Sequence, residues 1–266
     1  MLSDPQDSAT HVSASFTWWG HSTVGIELDG VRILTDPVLG RWIGPLRRSG
    51  PLPSVAAISD LHAVLISHGH HDHLDLRSLR RIDRETTIVL PTGRGSLLRA
   101  EGFRNVVELA VGDSTTIGEV HCCAVPAQHT GARWRAGRES HAQGYLISGS
   151  QSVWFAGDTG MVDALLELRG KVDIGLVPIG GWGFTLGPDH LDAAQAAQLC
   201  AQLELTQVLP IHWGTFAIPG SRMFRAAWRR QDPDLFATLV QPPVHVLAVT
   251  AGQRVDVPAL PTDGAP

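Results

Sequence analysis

The segment Ser67-His68-Gly69-His70-His71-Asp72-His73 carries the densest chemistry in the chain. Residues two apart in an extended segment point the same way, so His68, His70 and Asp72 can face one site. His73 can join them as the chain turns into the next element. Imidazole and carboxylate groups are donors for zinc and similar divalent ions. The bland alternative is a solvated histidine-rich loop. Four donors packed together at the end of an apolar run speak against it. One such cluster cannot fill two metal sites, so further donors are expected from other strand ends. His129 in Pro126-Ala-Gln-His-Thr, Asp158 in Gly157-Asp-Thr-Gly160 and His212 in Pro210-Ile-His-Trp each follow an apolar strand pattern. Alone, each reads as an ordinary hydrogen-bonding or turn residue. Their shared placement joins them to the cluster.

The elements that must hold these donors are short. Strand patterns are predicted over Phe16–Trp19, Thr23–Leu28, Val31–Thr35, Ala63–Ser67, Thr87–Leu90, Asn105–Leu109 and Val120–Pro126. Later ones cover Gly144–Ile147, Ser152–Ala156, Ile174–Pro178, Gln207–Ile211 and Val244–Val249. Helices are predicted over Leu76–Ile82, Gly95–Glu101, Met161–Leu168, Asp192–Leu203 and Ser221–Arg230, with Asp192 as an N-cap. Val31–Asp36 and Ser152–Asp158 are both second strands of hairpins that run into an aspartate. That suggests a duplicated plan, two similar halves packed sheet to sheet with helices outside. A single domain over 14–257 is expected, with loose ends at 1–13 and 258–266.

The composition narrows the function. The chain has 266 residues, 43% hydrophobic and 18% charged, with a formal net charge of −5. That excludes a disordered chain or a coiled coil, and no overall basic field draws nucleic acid. Three cysteines are too few for a disulfide scaffold and fit a reducing compartment. Met1–Phe16 shows no secretion signal, and no apolar run is long enough to anchor in a membrane. A cytoplasmic protein is the expectation. The 13 histidines are the one compositional excess.

The order His-x-His-x-Asp-His, then His, then Gly-Asp-Thr-Gly, then a late His resembles the metallo-β-lactamase superfamily. The resemblance runs from about Phe16 to Val249. Gly20-His-Ser-Thr23, Leu34-Thr-Asp-Pro37, His73-Leu-Asp75, Pro126-Ala-Gln-His129 and Ile211-His-Trp-Gly-Thr-Phe-Ala217 are similar to one branch of it. That branch contains N-acyl-phosphatidylethanolamine phospholipase D and, more loosely, ascorbate-6-phosphate lactonase. The resemblance implies an α/β fold, an αββα sandwich of two mixed β-sheets flanked by helices. It implies two divalent ions, zinc by donor type, with manganese or iron as alternatives. His68, His70 and His129 would hold one ion, Asp72, His73 and His212 the other, and Asp158 would bridge them. The expected activity is hydrolysis by a hydroxide shared between the ions, on a phosphodiester or similar anionic ester. Two divalent ions, two aspartates and one hydroxide leave a net charge of about +1, which favours a small anionic substrate. Lactone or carboxylic ester hydrolysis is the runner-up, and a non-catalytic metal-binding protein is a third reading.

Other residues bear on that chemistry. Asp72 and His190 are the candidates for catalytic roles. By the same resemblance His190, in Gly187-Pro-Asp-His-Leu-Asp192, would face the substrate phosphate as a proton donor or binding group. Asp36 in Thr-Asp-Pro would support the histidine loop, or be a turn acid. Asp75 is read as the cap of the next helix and His21 as the support of a turn. Arg133, close after His129, and Trp182 in Gly180-Gly-Trp-Gly183 are candidate substrate contacts. The basic, aromatic segment Arg41–Pro53, with Arg41, Arg47 and Arg48, could also bind an acidic group, or be solvated.

Overall fold

Strand alternation sorts this chain into layers. The computed structural model describes residues 12–130, 141–181, 186–220 and 232–258. In the first sheet β1 (Val12–Trp18), β2 (Val24–Leu28) and β3 (Val31–Thr35) form an antiparallel meander. It continues in parallel through β6 (Ala63–Leu65), β7 (Thr87–Pro91) and β8 (Val106–Leu109). The antiparallel β17 (Arg254–Pro258) lies beside β1 at the other edge.

The second sheet repeats the plan. Strands β9 (Ser114–Ile117), β10 (Val120–Thr130), β11 (His141–Ser148) and β12 (Ser152–Phe155) are antiparallel. Strands β13 (Ile174–Pro178), β14 (Gln207–Ile211) and β16 (His245–Val246) continue in parallel. A small third sheet joins β4 (Trp42–Ile43), β5 (Leu46–Arg48) and β15 (Phe216–Ala217).

Along β3, β6 and β7 the alternate residues Ile33, Ala63, Leu65 and Val89 meet Val153, Phe155, Ile174, Leu176 and Leu209 of the second sheet. Their neighbours Leu34, Val64, Ile88 and Leu90 face outward, onto Leu79 of α1 (Leu76–Leu79) and Leu98 of α2 (Gly95–Ala100). On the far side Trp154, Val177 and Val208 pack under α3 (Ala193–Gln202) and Phe236 of α4 (Pro233–Leu239). Each fully buried aliphatic side chain contributes roughly 1.5–3 kcal/mol, so the period-2 pattern fixes which face of each strand turns inward. The result is the expected αββα sandwich. Asp192 caps α3 in a reciprocal box with Gln195, and Asp75 caps α1.

Several elements differ from expectation. Over Asp163–Leu168 the chain forms a 3-10 helix, with bonds from Leu165 N to Val162 O and from Arg169 N to Leu166 O. No side chain caps its start. Within Val244–Val249 only two residues pair as a strand, because this is the edge of the sheet. Strand β10 runs to Thr130, so His129 lies within its irregular last turn and not beyond it; the pairing with β11 shifts register between Pro126 and Thr130. The expected helix over Ser221–Arg230 lies outside the described residues.

Candidate metal centre

The donors converge at the ends of the parallel strands, where open α/β sheets usually place ligands. His68, His70, Asp72 and His73 lie on the loop after β6, Asp36 after β3, Asp158 after β12 and His212 after β14. Backbone contacts lock these loops together. Asp36 N donates to Leu65 O at 2.9 Å and Gln143 N to Ser67 O at 3.1 Å. Tyr145 Oη–H donates to Ile66 O at 2.8 Å. Gly160 N donates to Gln128 O at 2.9 Å, tying the Asp158 loop to the strand of His129. A Cβ at Gly160 would lie 2.0 Å from Pro188 O, so the second glycine of Gly-Asp-Thr-Gly is required by that close approach.

The rings sort by which nitrogen is already committed. The Nδ1–H of His129 donates to Asp189 O at 3.1 Å and that of His212 to Gly180 O at 2.8 Å. His73 Nδ1–H donates to Asp36 Oδ2 at 2.6 Å. Ser67 Oγ–H donates to Asp36 Oδ2 at 2.5 Å, and Oγ accepts from His68 Nδ1 at 2.9 Å. All four rings therefore present a bare Nε2 inward. His70 is turned the other way: its Nδ1 lies 2.9 Å from His68 Nε2 and 3.1 Å from His129 Nε2. These three atoms form one convergent triad.

A second group joins Asp72, His73 and His212, and Asp158 stands between the two. Asp158 Oδ2 lies 3.2 Å from His73 Nε2 and 4.0 Å from His129 Nε2, while its Oδ1 lies 3.1 Å from His212 Nε2. Yet His73 Nε2, His212 Nε2 and Asp158 Oδ1 are buried without a hydrogen-bond partner. Orphaned buried atoms of this kind cost free energy unless something satisfies them, and all three are of the types that can ligate a metal ion.

The electrostatics fit the same ligand. Burial lowers His68 well below the ordinary imidazole range, His70 to about 4, and His129 below it as well. Burial opposes ionisation of Asp72 and Asp158, but His73 beside the first and His212 beside the second hold both carboxyls well below their usual range. Neutral imidazole and ionised carboxylate are the ligating forms. Burial also lowers His73, but the charges of Asp158, Asp72 and Asp36 outweigh it and raise this ring well above the usual value. A positive charge is thus favoured at that point, whether a proton or a metal ion carries it.

His190 lies over the cluster, its Nε2 at 3.5 Å from Asp158 Oδ2 and its Nδ1–H donating to Leu186 O at 2.9 Å. With 26% of its side chain exposed, it stands on the open side of the site, whereas Asp158 beneath it is 3% exposed. Burial opposes its protonation, but Asp158 raises it above the ordinary imidazole value.

Asp36 is fully buried and accepts from Ser67 N as well as from Ser67 Oγ and His73 Nδ1. His71 is exposed, as are His62, His121, His141 and His245. Arg133 and Trp182 lie outside the described residues. Arg48 requires a correction. It is not a solvated or anion-binding loop arginine but is 2% exposed, with Nε donating to Gly40 O and Nη1 to Trp19 O, and its guanidinium over Phe216. Arg41 and Arg47 are exposed. Reading the sequence alone missed His21 as a site residue. It does shape a turn, at φ 56°, but its Nε2 also lies 3.0 Å from Asp72 Oδ2. The only sequence signal for it is its place in Gly20-His-Ser-Thr23. Burial, with His212 second, lowers this ring to about 3, so it is neutral.

Comparison with known proteins gives this geometry a family. Residues 31–213 match the model of the Beta-lactamase superfamily domain. A UPF0173 metal-dependent hydrolase of Methanopyrus kandleri is 32% identical, over 75% of this chain and 84% of its own. N-acyl-phosphatidylethanolamine-hydrolyzing phospholipase D 1 of Caenorhabditis elegans is 28% identical over 75% of this chain and 64% of its own, so the chain spans less than two thirds of that protein. The structure of Igni18, a metallo hydrolase from Ignicoccus hospitalis, superposes with a TM-score of 0.70 at 22% identity, over 92% of this chain and 98% of that one. The layers and the family match agree: the chain belongs to the beta-lactamase superfamily and is a metal-dependent hydrolase of the metallo-β-lactamase fold.

Proposed function

We propose that the protein hydrolyses a phosphodiester or similar small anionic ester at a centre of two divalent ions, zinc by donor chemistry. His68, His70 and His129 would hold one ion, Asp72, His73 and His212 the other, with Asp158 between them. Ions bound there would supply a nucleophile at neutral pH, by lowering the pKa of bound water to about 7, and charge for a developing oxyanion. The protein's own part is positioning. Asp36, Gly180 O and Asp189 O fix the tautomers of His73, His212 and His129. Asp72 and Asp158 keep the negative charge of the centre below that of its cations.

The observation that carries the substrate class is the place of His190. It stands on the open side, within 3.5 Å of Asp158 and outside both sets of ring donors, where it can meet a phosphoryl oxygen or protonate a leaving group. Arg133 and Trp182 remain candidates for substrate contact. The free cysteines Cys122, Cys123 and Cys200 fit action in the reducing cytoplasm, and no described helix is long and apolar enough to cross a membrane.

The test compares a bis-aryl phosphate with a panel of lactones, using protein reconstituted with zinc or manganese. The phosphodiester should be the better substrate, and His190→Ala should lower its kcat by about 10²–10⁴. Preferential turnover of lactones would replace the phosphodiester reading. A protein that takes up no metal and stays inert would sink the hydrolytic centre itself.

A further inference from the structure

His21 comes from the turn between β1 and β2, far in sequence from the histidine loop. It nevertheless sits 3% exposed against the second group of donors. Its ring lies 4.0 Å from that of His212 and 5.2 Å from that of His73. Counted by distance alone it would be a fourth ligand, since His21, Asp72, His73 and His212 bring their ligand atoms within 4.8 Å of one another. The hydrogen-bond pattern separates it from the others. The inward nitrogens of His73 and His212 have no hydrogen-bond partner, whereas His21 Nε2 faces Asp72 Oδ2 at 3.0 Å. A carboxylate oxygen accepts, so His21 Nε2 carries the proton. That is the opposite tautomer to the one His73 and His212 present inward.

The backbone of His21 is bound just as tightly. Its N–H donates to Thr215 Oγ1 at 2.6 Å, and its carbonyl accepts from His212 N at 3.0 Å and from Trp18 Nε1 at 2.9 Å. Both His21 and His212 have left-handed φ, 56° and 62°, which non-glycine residues adopt only when their surroundings impose it. Gly20 before it has φ 97°, and a Cβ there would lie 2.6 Å from the buried Arg48 Nη1. The turn is therefore clamped from three sides.

We propose that His21 is a positioning residue for the second ion, fixing Asp72 through its Nε2–H and His212 through its ring face and carbonyl, without ligating the metal. The same Asp72 Oδ2 lies 3.6 Å from His73 Nε2 and 3.9 Å from His212 Nε2, so His21 holds the oxygen that faces those two donors. The proposal rests on the two-ion reading above.

Two variants and one spectroscopic measurement test it. Competition against a chromophoric chelator reads the affinity of each ion separately, and cobalt absorption reads the geometry of the second. In His21→Phe, which keeps a ring but loses the donor, the second ion should bind about 10–100-fold more weakly and the first as in the parent. In His21→Gln, whose amide N–H can take the place of Nε2–H, the second site should stay closer to the parent than to the Phe variant. Equal loss of both ions in the Phe variant, no loss, or a Gln variant as weak as Phe would overturn the proposal. Imidazole ¹⁵N–¹H correlation of the zinc-loaded parent judges the tautomer even if a variant fails to fold. A proton on His21 Nε2 supports the role, and a proton on Nδ1 alone overturns it. Fewer than two ions in the parent would sink the two-ion reading, while the tautomer would still decide the role of His21.

Discussion

At the scale of single residues, the site works by committing every polar atom but the ones aimed inward. Asp36 shows this most sharply. Its Oδ2 receives both Ser67 Oγ–H and His73 Nδ1–H, so His73 has only Nε2 to offer a metal. In Asp36→Asn the amide NH2 would face those two donors. His73 must then accept at Nδ1 and carry its proton on Nε2, the atom that would ligate the second ion on the proposed reading. The second ion should bind about 10–100-fold more weakly, the cost usual for lost support of a metal ligand, with little change in fold. Elemental analysis after graded chelator dialysis, alongside circular dichroism, checks this; an unchanged second equivalent would contradict it. The same logic explains what the sequence could reveal. His68, His70, Asp72 and His73 were legible because local spacing alone brings them together. His129, Asp158 and His212 were legible through a shared place at strand ends. His21 and Arg48 were not, since a lone histidine in a turn and one arginine among several in a loop carry no spacing that announces a distant partner. Only the third dimension brings His21 to Asp72 and folds Arg48 under Gly20.

At the scale of elements, strands with an apolar run were readable, the edge strand β8 included, and short or polar ones were not. Strands such as β6 and β13 are continuous apolar runs, because both of their faces are covered. Edge strands β9 and β17 mix polar with apolar residues, and β15 in the small sheet is only two residues long, so neither kind carries a strand pattern. Helix α2 is six residues long and has no capping side chain of its own. Glu108 from β8 supplies what the cap lacks. Its Oε1 accepts from Gly93 N, Arg94 N and Gly95 N at 2.7, 3.0 and 2.9 Å. A Cβ at Gly95 would lie 2.2 Å from Glu108 Oε2, so a side chain there would displace the carboxylate. These N–H groups, Gly95 first, hold the Glu108 carboxyl below its ordinary value. A depressed acid stabilises the fold above its unfolded pKa of about 4.3, and that contribution is lost as the pH falls through the folded value. Glu108→Gln should therefore cost about 1 kcal/mol near neutral pH. The difference from the parent should shrink on acidification below about pH 4. Urea unfolding of both proteins at matched pH measures this. Effects of acid on the rest of the molecule cancel in the difference, and a gap that widens on acidification would refute the linkage.

At the scale of the molecule, the two sheets meet at one end in a set of donors that neither could assemble alone. The first sheet contributes the histidine loop after β6 and Asp36 after β3. The second contributes His129, Asp158 and His212. Bound ions would therefore tie the halves of the duplicated plan across the inter-sheet core, at the end where the buried atoms of His73, His212 and Asp158 lack partners. A ligand that binds only the folded state stabilises it by about 2.7 kcal/mol when present at a hundred times its Kd. In a chain of this size 1 kcal/mol moves the melting temperature by roughly 2–4 °C. Exhaustive chelation should then lower Tm by about 5–10 °C for each site so saturated, and adding back zinc should restore it. Asp158→Ala removes the carboxylate between the two donor groups, so its Tm should be nearly the same with and without metal. Scanning calorimetry of the parent and this variant, each with chelator and with zinc, completes the comparison. A parent whose Tm ignores metal, or a variant that still gains as much as the parent, would show that ions do not join the two sheets.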